Sequence, residues 1–219
     1  MTALELGTSV SPHPAGLALI APQPLRLLDI LAIQLRLQYA AAVAAGQFTT
    51  AQRDTDLPLI TAALAAVRAS RPVVVTGLPP AVGRLLQALQ SPVNARAVLT
   101  DDAVVPATVA RQMPAGTAVL LTCGSADVQV PCATTDAVTA ALRDARTSGP
   151  GRVVLAGVDH EQHDAAHSTT LAPALVQALH RWLEPLRAAL GPPAGDPEIA
   201  LRAPNSVRER RSSMWRSSP

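Results

Sequence analysis

Lysine is absent from the 219 residues, and all 18 basic side chains are arginine, set against 16 acids. Residues 1–190 hold 13 arginines and 13 acids, so the formal net charge of +2 comes from residues 191–219, with 5 arginines and 3 acids. No basic face can be built from such a balance, which excludes nucleic acid as the expected partner. Aromatic residues make up only 2% of the chain, so its core must be filled by alanine, leucine and valine. Cysteine occurs twice, at Cys123 and Cys132. Two cysteines in a chain of this size make no disulfide framework. Free thiols are expected, with a bridge across the segment they flank as the alternative. A positively charged leader is also missing, since Met1–Ser11 carries no basic residue. The most apolar helical stretch, Leu25–Tyr39, is interrupted by Arg26, Asp29 and Arg36, which argues against a membrane span. Together these absences describe a soluble cytoplasmic protein. Gly7 and Gly16 form no phosphate-binding loop, and no cofactor is expected.

Against this background two stretches stand out. Ala118–Thr122 (AVLLT) is a continuous apolar run that stops at Cys123-Gly124-Ser125-Ala126-Asp127, and Val153–Ala156 (VVLA) stops at Gly157-Val158-Asp159-His160. A third run, Gly16–Ile20 (GLALI), ends at Ala21-Pro22. Short apolar runs separated by helical patterns are expected as strands of a parallel sheet covered on both faces. Ligands and chemistry in such sheets collect beyond the carboxyl ends of the strands. Asp127 and His160 both fall there.

The rest of the chain reads mainly as helix. Thr2–Leu6 gives the last turns of a helix closed by Gly7, and Pro24 to about Gly46 gives a long one with a narrow polar stripe. Thr50–Ala69 follows with Thr50 available as a cap, then Pro72–Gly77 (PVVVTG) as a short β-like piece and Pro80–Leu89 as a helix with proline at its start. Residues 92–113 divide into two short helices, with Asp101-Asp102 near the start of the second. Helices over about Thr134–Arg146 and Thr170–Leu190 follow the two acid- and histidine-bearing loops. From Gly191 onward periodicity vanishes, and the tail is expected to be disordered.

These elements, in this order, resemble the C-terminal half of an α/β hydrolase. In that family a strand ending in G-x-x-D carries the acid of a Ser-His-Asp triad and the next strand ends in the histidine loop. Gly124-Ser125-Ala126-Asp127 matches the first pattern and Gly157-Val158-Asp159-His160 the second, 33 residues apart, which leaves room for one helix and one strand. Gly16–Pro22 looks like the strand after the nucleophile helix, and residues 24–113 look like the helical cap inserted behind it. The resemblance implies a partial α/β-hydrolase fold over residues 1–190, a mostly parallel sheet, and Asp127 and His160 as catalytic acid and base. It also implies a small, fairly apolar substrate with an ester, amide or similar acyl bond.

The nucleophile is missing. No G-x-S-x-G occurs, and the nearest stretch, Gly7-Thr8-Ser9-Val10-Ser11, lacks the last glycine and follows no strand. Ser9, Ser125 and Cys123 are poor substitutes. Thr2–Leu6 instead resembles the helix that follows the nucleophile turn, which places the serine upstream of Met1. The expectation is a hydrolase truncated at its N-terminus, inactive alone, its first strand left as an apolar edge open to self-association. The alternative is a non-catalytic remnant or interaction module of the same fold. His163 and His167, with Asp164, could hold a metal only on a helix; His160-Glu161-Gln162-His163 is not H-E-x-x-H, and no metal is expected.

Overall fold

A computed structural model describes residues 3–190; the tail read as disordered lies outside the described residues. The elements are α1 (Ala3–Ser9), β1 (Gly16–Ile20), α2 (Leu27–Ala44), α3 (Thr50–Arg68), α4 (Pro80–Leu89), α5 (Ala95–Ala103), α6 (Pro106–Ala110), β2 (Ala118–Gly124), α7 (Asp136–Asp144), β3 (Ser148–Leu155) and α8 (Pro173–Leu190). The three expected strands form one parallel sheet in the order β1-β2-β3, so the chain is a mixed α/β protein. Central β2 is buried along almost its whole length. On one face Leu19, Val119 and Leu121 pack with Leu4 of α1, Ala110, Met113, and Val138, Ala141 and Leu142 of α7. Helix α8 covers the opposite side, where Leu175 and Ala178 pack with Leu155 and Val158. A β-carbon on Gly16 would lie 2.8 Å from the Trp182 and Leu186 side chains of α8, which would have to shift to admit it, so glycine eases the close approach of helix and strand.

Residues 24–113 divide between two cores. Helices α2 to α5 enclose their own cluster around Leu28, Leu35, Tyr39, Ile60, Leu64, Val67, Leu86 and Val98. Helix α6 instead joins the sheet through Ala110. By length and composition α2 could cross a membrane. Here its buried residues Leu28, Leu35 and Tyr39 pack in the shared helical core.

Several local expectations are corrected. Helix α1 runs through Gly7, which is buried against Met113, and ends at Ser9. The cap of α3 is Thr49, which forms a reciprocal capping box with Gln52 and displaces Thr50 by one residue. Pro72–Gly77 is not a strand, because among the described residues no strand neighbours it. The side chain of Gln90 takes that role: its Oε1 accepts from Val73 N–H at 3.0 Å and its Nε2 donates to the Arg71 carbonyl at 2.6 Å. Val73 and Val75 then pack on the helical core. Asp101 and Asp102 lie in the last turn of α5 rather than at a helix start. Asp102, 1% exposed, draws together three elements. Its carboxylate accepts from Leu28 N–H at 2.9 Å, from Arg26 at 3.0 Å and from Arg68 at 2.8 and 3.0 Å. Burial alone would raise the Asp102 pKa; the hydrogen bonds from Arg68 and Leu28 and the charges of Arg68 and Arg26 outweigh it and hold it below the usual carboxylate value.

Candidate active site: an acid–histidine couple

Adjacent parallel strands deliver Asp127 and His160 to the same end of the sheet. The β2–β3 register pairs Gly124 with Leu155, so the two loops leave the sheet side by side. They are stitched together by backbone: Ser125 N–H donates to Leu155 O at 2.9 Å, and Ala126 N–H to Val158 O at 3.0 Å. Gly124 makes this possible, since a β-carbon there would sit 2.0 Å from the Val158 carbonyl oxygen. The glycine of the G-x-x-D loop is therefore a requirement of close approach.

The Asp127 side chain is 1% exposed and the His160 side chain 33%. Asp127 Oδ2 lies 2.9 Å from His160 Nδ1. The other carboxylate oxygen accepts from Gln129 N–H at 2.8 Å and Val130 N–H at 2.7 Å. Asp127 thus both orders its own loop and meets the histidine. Because the carboxylate accepts at Nδ1, the neutral ring carries its proton there and leaves Nε2 as the basic nitrogen. Among the described residues Nε2 has no hydrogen-bond partner. That arrangement can orient an imidazole and stabilise its protonated form.

Cys123 and Cys132 form a disulfide, in place of the expected free thiols. Cys123 is the last residue but one of β2, and Cys132 opens a 3₁₀ turn, Cys132–Thr135, ahead of α7. A separation of nine in sequence does not fix their distance in space; the Asp127 loop doubles back and brings the Cα atoms to 5.3 Å. The bridge closes the loop that holds Asp127. Cys123 is accordingly no reservoir of nucleophilic thiol.

The other candidates are engaged elsewhere. Ser125 Oγ accepts from Gly157 N–H at 2.8 Å, one more tie between the two loops. Ser9 Oγ donates to Glu5 O within α1. The stretch bearing His163 and His167 is not helical. His167 Nδ1 lies 2.8 Å from Asp164, and among the described residues no three His, Cys, Asp or Glu side chains converge as a metal site. The hydrogen bond from His167 is the main reason that the Asp164 carboxyl is held below its ordinary value.

A cavity of about 430 Å³ opens beside the Asp127 loop. Gln34, Leu37, Gln38 and Ala41 form one wall, a single face of α2, and Asp127, Val128, Gln129 and Pro131 the other. Asp127 lines this cavity, and His160 is not among the residues that line it. No protein-family model matches the chain, and no curated protein matches it.

Proposed function

We propose that these residues are the acid–histidine half of a serine hydrolase of the α/β-hydrolase type. The observation that carries the reading is the 2.9 Å contact between Asp127 Oδ2 and His160 Nδ1 at the carboxyl ends of neighbouring parallel strands. Asp127 orients the imidazole, and Nε2 takes the proton of an attacking serine hydroxyl and returns it to the leaving group. The substrate class is an ester, amide or similar acyl compound. The aliphatic side of the cavity, with Leu37, Ala41, Val128 and Pro131, suits a fairly apolar small molecule rather than a charged one.

In this reading the serine comes from sequence outside the 219 residues, because they contain no G-x-S-x-G. Among the described residues no strand pairs with the outer edge of β1, which is the position where a further strand would pair. In the isolated chain the same edge, with Ile20 40% exposed, favours self-association. The test is reaction with a serine-directed phosphonate and hydrolysis of small activated esters. The 219-residue chain takes no label, a product extended upstream through an in-frame G-x-S-x-G takes one label per chain, and His160→Ala in the extended product abolishes it. Stoichiometric labelling of a serine within the 219 residues would refute the missing-serine part. An extended product indifferent to His160→Ala would refute the hydrolase reading.

A second reading has its own observation. Ser125, the serine of the acid loop itself, spends its hydroxyl on Gly157 N–H. A couple left intact with no serine bonded to His160 among the described residues also fits a non-catalytic relative that keeps the fold as an interaction module.

A further inference from the structure

The loop that presents His160 closes on itself over five residues. Asp159 N–H donates to His163 O at 2.9 Å, His163 N–H to Asp159 Oδ1 at 2.9 Å, and Gln162 N–H to Asp159 O at 3.2 Å. Gln162 sits at the centre of this turn, 7% exposed. Its backbone is in the left-handed region with φ +67, where a side chain other than glycine, asparagine or aspartate is disfavoured. Its Nε2 donates to the carbonyl oxygens of Asp159 and His160, each at 3.2 Å. Two carbonyl partners fix the amide's orientation, since only the nitrogen can serve both. The opposite atom, Oε1, is then left buried without a partner. Gln162 O in turn accepts from Ala172 N–H at 2.8 Å, immediately before α8.

The two carbonyls held by Gln162 belong to the two peptide planes that flank the His160 Cα. The plane ending in the Asp159 carbonyl sets φ of His160, and the plane bearing the His160 carbonyl sets ψ. One side-chain amide therefore fixes both backbone dihedrals of the histidine, and its own backbone ties that turn to the start of α8. A left-handed glutamine with an unpartnered buried oxygen is a costly way to close a surface turn. Glycine would close it without either cost. What glycine lacks is the pair of donors.

We propose that Gln162 is a positioning residue for His160, holding the imidazole against Asp127 through the two carbonyls that bracket it. The inference rests on the acid–histidine reading of the site and acts through His160, without contact to substrate.

The test uses the 219-residue chain and reads the His160 Nδ1–H proton, assigned by ¹⁵N-edited NMR through its loss in Asp127→Asn. Gln162→Gly accepts the left-handed φ and removes the donors; Gln162→Met keeps the bulk and removes the donors. In both, the Nδ1–H signal is expected to weaken by about fivefold or more, because a ring that leaves its carboxylate exchanges that proton with water. Backbone amide signals of α8 and β2 are expected to stay in place. An Nδ1–H signal unchanged in Gln162→Gly overturns the proposal. So does a glycine variant that does not fold, which would make Gln162 a determinant of the fold itself. Should Gln162→Met fail to fold, the glycine variant decides alone. Absence of the signal from the wild-type chain would instead sink the Asp127–His160 couple, and the Gln162 proposal falls with it.

Discussion

Removing the Cys123–Cys132 bridge offers a direct measure of how the acid loop is held. The bridge closes a short loop, with a sequence separation of nine. In the loop-closure picture a ring of this size lowers the entropy of the unfolded chain by an amount worth about 2.6 kcal/mol at 25 °C. Native contacts oppose complete collapse of the loop in its absence. Asp127 still holds Gln129 and Val130 N–H, and Arg152 Nη1 reaches Thr135 Oγ1 at 3.1 Å just behind Cys132. The double variant Cys123→Ala, Cys132→Ala should therefore fold, and it should melt lower by about 5–10 °C, taking roughly 2–4 °C per kcal/mol for a domain of this length. Calorimetry under non-reducing conditions measures the shift, and the same scan with a dithiol reductant should bring the parent chain down toward the variant. Cys123 is 1% exposed, so alanine there also forfeits some packing, and Cys132→Ala alone separates the two effects. A parent chain that shows two titratable thiols while native, or equal melting temperatures for parent and both variants, would refute the argument.

Gly124→Ala should cost about 3 kcal/mol or more, because its β-carbon would overlap the Val158 carbonyl and force the acid and histidine loops apart; urea unfolding measures the loss, and NMR should show the His160 Nδ1–H signal weakened with it. Asp102→Asn should cost about 3 kcal/mol, since it strands Arg68 and Arg26 beside a neutral amide in a partly buried network, and the shift in urea midpoint reports it. The Asp102 carboxyl is held below its unfolded value, so its contribution is present above the unfolded pKa and is lost as pH falls through the lower, folded one; stability of the parent should drop on acidification below about pH 4, and less steeply in Asp102→Asn. Self-association through the β1 edge predicts a retention volume that shifts with concentration on size-exclusion chromatography, whereas a concentration-independent monomer would count against an open edge there.

The three strands were legible because their signal is local. GLALI and AVLLT lie in β1 and β2 and VVL in β3, but only central β2 is covered on both faces as expected. Ile20 of β1 and Val154 of β3 are exposed, because each of these strands has a sheet neighbour on one side alone among the described residues. The placement of Asp127 and His160 followed from the same runs, since each lies in the loop that ends one. Their 2.9 Å contact depends on parallel pairing of β2 with β3, which the helix between them makes the natural connection. Where the outcome turned on partners distant in sequence, composition could not supply it. Pro72–Gly77 has a strand's residues but no neighbouring strand among the described residues, and Gln90, 17 residues from Val73, takes the place of one. Asp102 looks like a helix-start acid until Arg26 and Arg68, 76 and 34 residues away, surround it. The cysteines read as thiols until the turn at Asp127 folds them together, and Gln162 is an ordinary polar residue until the loop closes around its amide. Periodicity and turn chemistry act over a few residues and fix the elements. Which buried donor meets which acceptor is decided only when packing brings separate elements within hydrogen-bond distance, because an unpaired polar group inside the protein costs as much as many local preferences combined.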